Sequence, residues 1–194
     1  MFTGIIECTG KVIDVEKKEN YIFTINASFS PELKINDSIS HNGVCLSVSE
    51  ILDDKKYQVI AVKETLSKTN LSHLNIGDLI NLERSMQLNG RFDGHIVQGH
   101  VDEQSTCIEI IEETGSWKFV FSHNNSPLLV EKGSVCLNGI SLTVFEITDK
   151  TFSVAIIPYT FSHTNIQHIK FGDKLNIEYD LIGKYVERQL SFKI

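Results

Sequence analysis

NGISLTV, from Asn138 to Val144, reads as a hairpin turn leading into a strand, because Asn-Gly supplies the two positive-φ positions of a tight turn and the residues after it alternate in polarity. The chain spells nearly the same thing, NGVCLSV, from Asn42 to Val48. Working outward, DSISHNGVCLSVSEI from Asp37 resembles GSVCLNGISLTVFEI from Gly133. GIIE from Gly4 resembles GHVD from Gly99, VIAVKETLSKTNL from Val59 resembles VAIIPYTFSHTNI from Val154, and GDLINLE from Gly77 resembles GDKLNIE from Gly172. Matches in one order at a nearly constant offset of 95 or 96 residues identify an internal duplication. A shared folding nucleus accounts for the apolar matches. It does not account for the polar pairs Asn42/Asn138, Ser38/Ser134, Ser47/Thr143, Thr65/Thr160 and Asn81/Asn176, of which some are expected to cap turns and some to bind.

Within each copy, short alternating runs such as KVIDV, YIFTINA, YQVIAV and LINLE are separated by NG, DD and GD turns. The helical signal is confined to TLSKTNLSHL and TFSHTNIQHI, each starting at a threonine able to cap. About six strands in about 90 residues predict a small antiparallel Greek-key barrel per copy, a closed sheet without exposed edges. The predicted fold is therefore all-β: two tandem six-stranded barrels, over residues 1–88 and 95–181, joined by Ser85–Gly94 and followed by a helix over 182–194. In that tail Ile182, Tyr185, Val186 and Leu190 share one helical face. So short a helix needs a partner surface, either its own barrels or an oligomer seam.

The 194 residues are 41% hydrophobic and 22% charged, the composition of an ordered globular chain. A formal charge of -7 excludes a phosphate-neutralising nucleic-acid platform. No apolar run reaches the roughly 20 residues of a membrane span, and MFTGIIECTG lacks the features of a leader, so a cytoplasmic protein without membrane partners is expected. Cys8, Cys45, Cys107 and Cys136 show no C-x-x-C spacing and read as free thiols, and the His95/His100 spacing suits no metal, so none is assigned.

Two similar sites in one chain suit a reaction between two identical small molecules, in which the differences between copies matter: Cys45 faces Ser141, Ile5 faces His100, and Lys63-Glu64 faces Pro158-Tyr159. MFTGIIE, HNGVCLSV, KETL with TNL, GHIVQGHVD, NGISLTV and DLIGKYVER together resemble riboflavin synthase of the alpha-chain type over the whole chain. The resemblance implies a six-stranded barrel in each half, a C-terminal helix holding a homotrimer, and dismutation of two 6,7-dimethyl-8-ribityllumazine molecules to riboflavin and 5-amino-6-ribitylaminouracil. It implies no metal or redox cofactor and two lumazines per active site, set between the N-terminal barrel of one subunit and the C-terminal barrel of its neighbour. It also admits lumazine synthase as a partner.

By motif, the resemblance assigns Gly4, Ile5, Ile6, Cys45, Leu46, Ser47, Ala61, Val62, Lys63, Glu64 and Thr65 to the N-barrel pocket. It assigns Gly99, His100, Val101, Lys132, Ser141, Leu142, Thr143, Ile157, Pro158, Tyr159 and Thr160 to the C-barrel pocket. Activity is associated with Phe2, Ser38, Cys45, His100, Ser141, Thr143 and Asp180. Each has a plainer reading: His100 as a solvated histidine, Cys45 as a small buried residue, Asp180 as a helix cap, Lys132 as a surface lysine. Ser141 and Thr143 alternate on a strand and so share a face. Tyr159 departs from the acidic residue or histidine common in relatives, and its partner in the first copy is Glu64. A non-catalytic lumazine-binding antenna protein would show decay of one copy, yet both keep the polar set. A flavin oxidoreductase would require a G-x-G-x-x-G nicotinamide fingerprint, which is not in this sequence.

Overall fold

The computed structural model describes residues 1–53, 55–124 and 127–192. Asp54 of the predicted Asp-Asp turn, residues 125–126 of the predicted second barrel and residues 193–194 of the predicted tail lie outside the described residues. The first copy contains β1 (Cys8–Lys17), β2 (Tyr21–Asn26), β3 (Ser38–His41), β4 (Val44–Asp53), β5 (Lys56–Ala61) and β6 (Leu79–Arg84). The second contains β7 (Glu103–Glu113), β8 (Ser116–Ser122), β9 (Ser134–Leu137), β10 (Ile140–Phe145), β11 (Thr151–Ile156) and β12 (Lys174–Tyr179). Each set closes antiparallel in the same order, β1-β2-β5-β4-β3-β6 and its repeat, so this is a tandem pair of all-β Greek-key barrels. Even the bulge in the first strand recurs, after Val12 in β1 and after Cys107 in β7, where one extra residue bends the strand toward closure.

Each barrel encloses its own core, with Val12, Phe23, Ile25, Val59 and Leu82 in one and Phe119, Phe121, Phe152, Val154 and Ile177 in the other. The cores differ most in polarity at one matched pair of residues. In the first, His41 is buried with Nδ1 3.0 Å from the Ile39 carbonyl and Nε2 2.9 Å from the Tyr57 hydroxyl. The second has Leu137 and Phe152 there, both fully buried. Burial lowers the His41 pKa to about 4, so the ring is neutral.

The expected helices are shorter than their patterns. Helices α1 (Lys63–Lys68) and α2 (Pro158–His163) each give way to a 3-10 turn, over Asn70–His73 and Asn165–His168. Neither Thr65 nor Thr160 caps: the N-cap residues are Val62 and Ile157. Thr69 and Thr164, both extended, break the helix and release Asn70 and Asn165 toward the opposite barrel.

Those asparagines explain two of the five polar matches, Asn42/Asn138 and Asn81/Asn176. Asn70 N donates to Asn176 Oδ1 at 2.7 Å and Asn70 Nδ2 to Asn138 Oδ1 at 3.0 Å. In the mirrored arrangement Asn165 N donates to Asn81 Oδ1 at 2.7 Å and Asn165 Nδ2 to Asn42 Oδ1 at 3.0 Å. Asn81 and Asn176 also donate across, to the carbonyls of Asn138 and Asn42. The Asn-Gly turns meet back to back at the centre of this pseudo-two-fold network. A Cβ on Gly43, whose φ is +79°, would stand 2.8 Å from the Gly139 nitrogen. The stretch that marks the duplication is thus where the two copies join.

The tail forms α3 (Leu181–Leu190), with Asp180 Oδ1 accepting from Ile182 N at 2.9 Å and Lys184 Nζ 2.6 Å from the Asp102 carboxylate. Its apolar face is not covered by the barrels: Ile182 is 65% and Tyr185 66% exposed.

Candidate active site

Each copy lends a glycine turn to the barrel of the other. Gly4, with φ +78°, gives its carbonyl to Ser141 N at 2.8 Å, and a Cβ on it would lie 2.6 Å from the Ser141 Cβ. Gly99, with φ +82°, gives its carbonyl to Cys45 N at 2.9 Å, with 2.5 Å to the Cys45 Cβ. Only glycine permits that approach. A buried carboxylate holds each turn: Glu83 accepts from Thr3 N at 2.7 Å, Thr3 Oγ1 at 2.9 Å and Gly4 N at 3.0 Å. Glu178 accepts from the backbone nitrogens of Gln98, Gly99 and His100 at 2.7, 2.9 and 2.8 Å. Burial raises the Glu83 pKa against these donors.

This exchange corrects the expected grouping of residues. Gly4 and Ile6 belong with the second barrel, where Ile6 packs on the core. Gly99 and Val101 belong with the first, where Val101 does the same. Matching by order along the chain cannot reveal the swap, because the turns cross between barrels through the buried Phe2–Val97 bridge. Phe2 is accordingly a buried residue of that crossing. Glu83 and Glu178 are not among the residues the resemblance assigns, although the matched ends of GDLINLE and GDKLNIE carry their signal.

Beside Ser141 the outer wall of the second barrel forms a cavity of about 430 Å³. Ser141 and Thr143 from β10, Ala155 and Ile157 from β11 and beyond, and Thr160 from α2 line it, with Lys132 and Phe145 at its side. Lys132 has a φ of +64° and its Nζ lies 5.1 Å from the Phe145 ring centroid. His95 Nδ1 is 2.7 Å from Ser141 Oγ, while its Nε2 is buried without a partner. Burial lowers the His95 pKa and the charge of Asp180 pulls it back up, so the free imidazole prevails at neutral pH. The histidine brought to Ser141 is thus His95 rather than the predicted His100, whose backbone is fixed on Glu178 and whose side chain is exposed. Asp180 caps α3 and faces His95 electrostatically.

The matched wall of the first barrel carries Asn36, Cys45, Ser47, Ser49, Ile60, Val62 and Thr65. Asn36 repeats the Lys132 geometry, with φ +73° and its N donating to Val48 O at 2.9 Å. Ala61 does not face this wall: it is fully buried in the core, and the outward residue of β5 is Ile60, which period-2 alternation with Val62 could have indicated. Leu46 packs in the first core, while Leu142 packs in the second and also lines the cavity beside Ser141. Ser38 sits opposite Ser47 in the β3/β4 pair and lines a separate groove with Arg84 and Arg91. On the neighbouring helices Glu64 pairs with Lys68 at 2.8 Å, and Tyr159, after Pro158, stacks on His163 at 4.1 Å between ring centroids. Ile5 and Lys63 are exposed. A further cavity, about 730 Å³ on the pseudo-two-fold, is lined by none of the predicted site residues.

Two barrels of one topology, each offering an outward wall of hydroxyl or thiol and apolar groups closed by a turn from the other copy, define a tandem small-ligand-binding protein. The lumazine binding domain matches residues 3–85 and again 98–180. The chain is 40% identical to riboflavin synthase of Actinobacillus pleuropneumoniae, over 100% of this chain and 91% of that one. It is 39% identical to riboflavin synthase of Bacillus subtilis, over 98% and 90%. The chain belongs to the riboflavin synthase family. In three dimensions it resembles LumP complexed with riboflavin, with a TM-score of 0.85, 20% identity and coverage of 92% of this chain and 99% of that chain. LumP complexed with 6,7-dimethyl-8-(1'-D-ribityl) lumazine gives 0.83 at 19% identity, over 92% and 98%. These two likenesses concern the fold alone. No helix among the described residues is long and apolar enough to cross a membrane.

Proposed function

We propose that this chain is a riboflavin synthase: it takes two molecules of 6,7-dimethyl-8-ribityllumazine and transfers a four-carbon unit from one to the other, yielding riboflavin and 5-amino-6-ribitylaminouracil. The observation that carries the reading is the twinned wall, with Cys45 and Ser141 at matched positions and each closed by the glycine turn of the other copy. Two binding sites that are alike but unequal suit a reaction whose two substrates are identical and whose products are not.

The chemistry asks for three things: two flat rings held face to face, a base for methyl protons, and donors for the delocalised anion. Orientation alone can supply about 7–11 kcal/mol of the barrier. His95, kept as a free imidazole by burial, withdraws the Ser141 hydroxyl proton, and that hydroxyl meets the ligand. Thr143, on the same face, donates to the developing anion. Cys45 and Ser47 provide the matching polar edge of the other pocket. For a ring in one barrel to face a ring in the other, the pockets meet between subunits of a homotrimer, and the uncovered face of α3 is the seam that supports it.

The test is purified protein incubated with the lumazine alone. Riboflavin and the ribitylaminouracil should appear in equal amounts, and His95→Gln should lower turnover by about 10²-fold. A parent protein that makes no riboflavin would sink the reading.

A further inference from the structure

The cleft of about 730 Å³ on the pseudo-two-fold takes no part in the reaction as derived above, and neither barrel forms it alone. One half sets the 3-10 turn Asn70–His73 of the first copy against the start of β12, where Asn70 Nδ2 donates to Lys174 O at 3.2 Å. The other half sets Asn165–His168 of the second copy against the start of β6, where Asn165 Nδ2 donates to Leu79 O at 3.2 Å. Every lining residue from one copy has its repeat in the other, so each half holds a histidine and an aspartate. Asp78 Oδ2 and Asp173 Oδ2 accept from Asn75 N and Lys170 N, both at 2.8 Å, and the other oxygen of each carboxylate has no partner among the described residues.

Two features break the symmetry. Lys174 stands in one half where the other has Leu79, so the first half is polar and the second, with Leu79 and Ile169, is apolar. In that apolar half Asn165 Oδ1 is buried without a partner among the described residues, whereas its repeat, Asn70 Oδ1, accepts from Asn176 Nδ2 at 2.9 Å. A buried acceptor without a donor is costly, and a ligand that donates to it relieves that cost. Carboxylates, imidazoles and an orphaned amide oxygen match hydroxyl and amino donors, and two carboxylates against one ammonium disfavour an anion. The apolar half suits a flat ring and the polar half a hydroxyl-rich chain. Of the molecules in the proposed reaction, the one-ring product is the richest in donors: the two nitrogens freed when the four-carbon unit leaves become N–H groups beside the ribityl hydroxyls.

Resting on the riboflavin synthase reading, we propose that this cleft is a third ligand site, separate from both walls, that binds 5-amino-6-ribitylaminouracil. The pyrimidine ring lies against Leu79 and Ile169 and gives its amino groups to Asp78 and Asn165, and the ribityl chain runs to His73, Asp173 and Lys174. The product that leaves the walls is then held on the enzyme without occupying a substrate pocket.

His73 and His168 make the site visible, because both line the cleft and neither lies on a wall. The intact protein is first assayed for riboflavin formation from the lumazine. It is then titrated with 5-amino-6-ribitylaminouracil while the imidazole signals are followed by NMR, with His73→Gln and His168→Gln assigning them. Both signals should shift to saturation. Leu79→Trp fills the apolar half at a residue 40% exposed, and should abolish both shifts while turnover stays within about twofold of the parent. Lys174→Leu, which copies the residue of the other half, should weaken the response by about tenfold. The phosphate ester of the same ribityl compound should bind at least about tenfold more weakly than the neutral form. Unmoved histidine signals, shifts that persist in Leu79→Trp, or equal or tighter binding of the phosphate ester overturn the site while leaving the enzyme reading intact. Absence of riboflavin formation in the first assay overturns both.

Discussion

The two barrels share topology, bulge position and turn geometry, yet they solve the same interior differently. The first buries the His41–Tyr57 pair, and the second buries Leu137 and Phe152 at the matched positions. Outside, the first wall has Asn36, Cys45 and Ile60, and the second has Lys132, Ser141 and Ala155. What the copies kept unchanged is the contact between them: the six asparagines and the paired Asn-Gly turns. The lesson is that the duplication conserves the join and lets the cores and pockets drift apart.

The most damaging way to break the comparison is to remove the hydroxyls from one wall. Ser141→Ala with Thr143→Val should reduce turnover by about 10²–10⁴-fold while about one lumazine site per chain survives on the Cys45 wall, as read by titration. Turnover near the parent's would mean that the second wall is scaffold. Next in size, ending the chain after Gly183 removes the apolar face of α3. It should give a smaller species by light scattering together with much reduced activity, and an unchanged mass would refute the seam.

The buried pairs predict a difference in acid stability. His41 has its pKa lowered to about 4 in the fold against 6.5 when exposed, so the unfolded chain binds the extra proton. Stability from this group is complete above pH 6.5 and is lost as pH falls from there toward about 4, to a total of about 3 kcal/mol. His41→Leu with Tyr57→Phe, which copies the second core, should flatten the midpoint of thermal unfolding across that window. An unchanged pH slope would show that other groups control it.

Smaller still, Gly139→Ala places a Cβ 2.9 Å from the Gly43 nitrogen at a φ of +83°. A loss of about 1–3 kcal/mol in denaturant unfolding is expected. The smallest effect expected is that of a chelator. Among the described residues no group of three or more His, Cys, Asp or Glu is placed to hold a metal, and turnover in EDTA should match the untreated protein. Loss restored by one specific metal would count against the mechanism.

Much of this was legible in the linear order of residues. The paired Asn-Gly strands, the constant offset and the period-2 runs led to two Greek-key barrels, because strand alternation and tight turns are local properties written in neighbouring residues. Ser141 and Thr143 could be placed on one face for the same reason. Period-2 alternation marks Ile60 just as well, whereas the family resemblance points to Ala61, because a motif copied across a family carries no record of which way each side chain points.

What the sequence by itself determined is the repeat, the fold class and the family, since each depends on pattern and spacing along the chain. Only the tertiary structure decided that the Gly4 and Gly99 turns serve opposite barrels, that His95 rather than His100 reaches Ser141, and that the matched asparagines join the halves. These contacts unite residues tens of positions apart, or more than a hundred for Asn165 and Asn42. They exist only once both barrels have closed and their buried donors and acceptors must find partners.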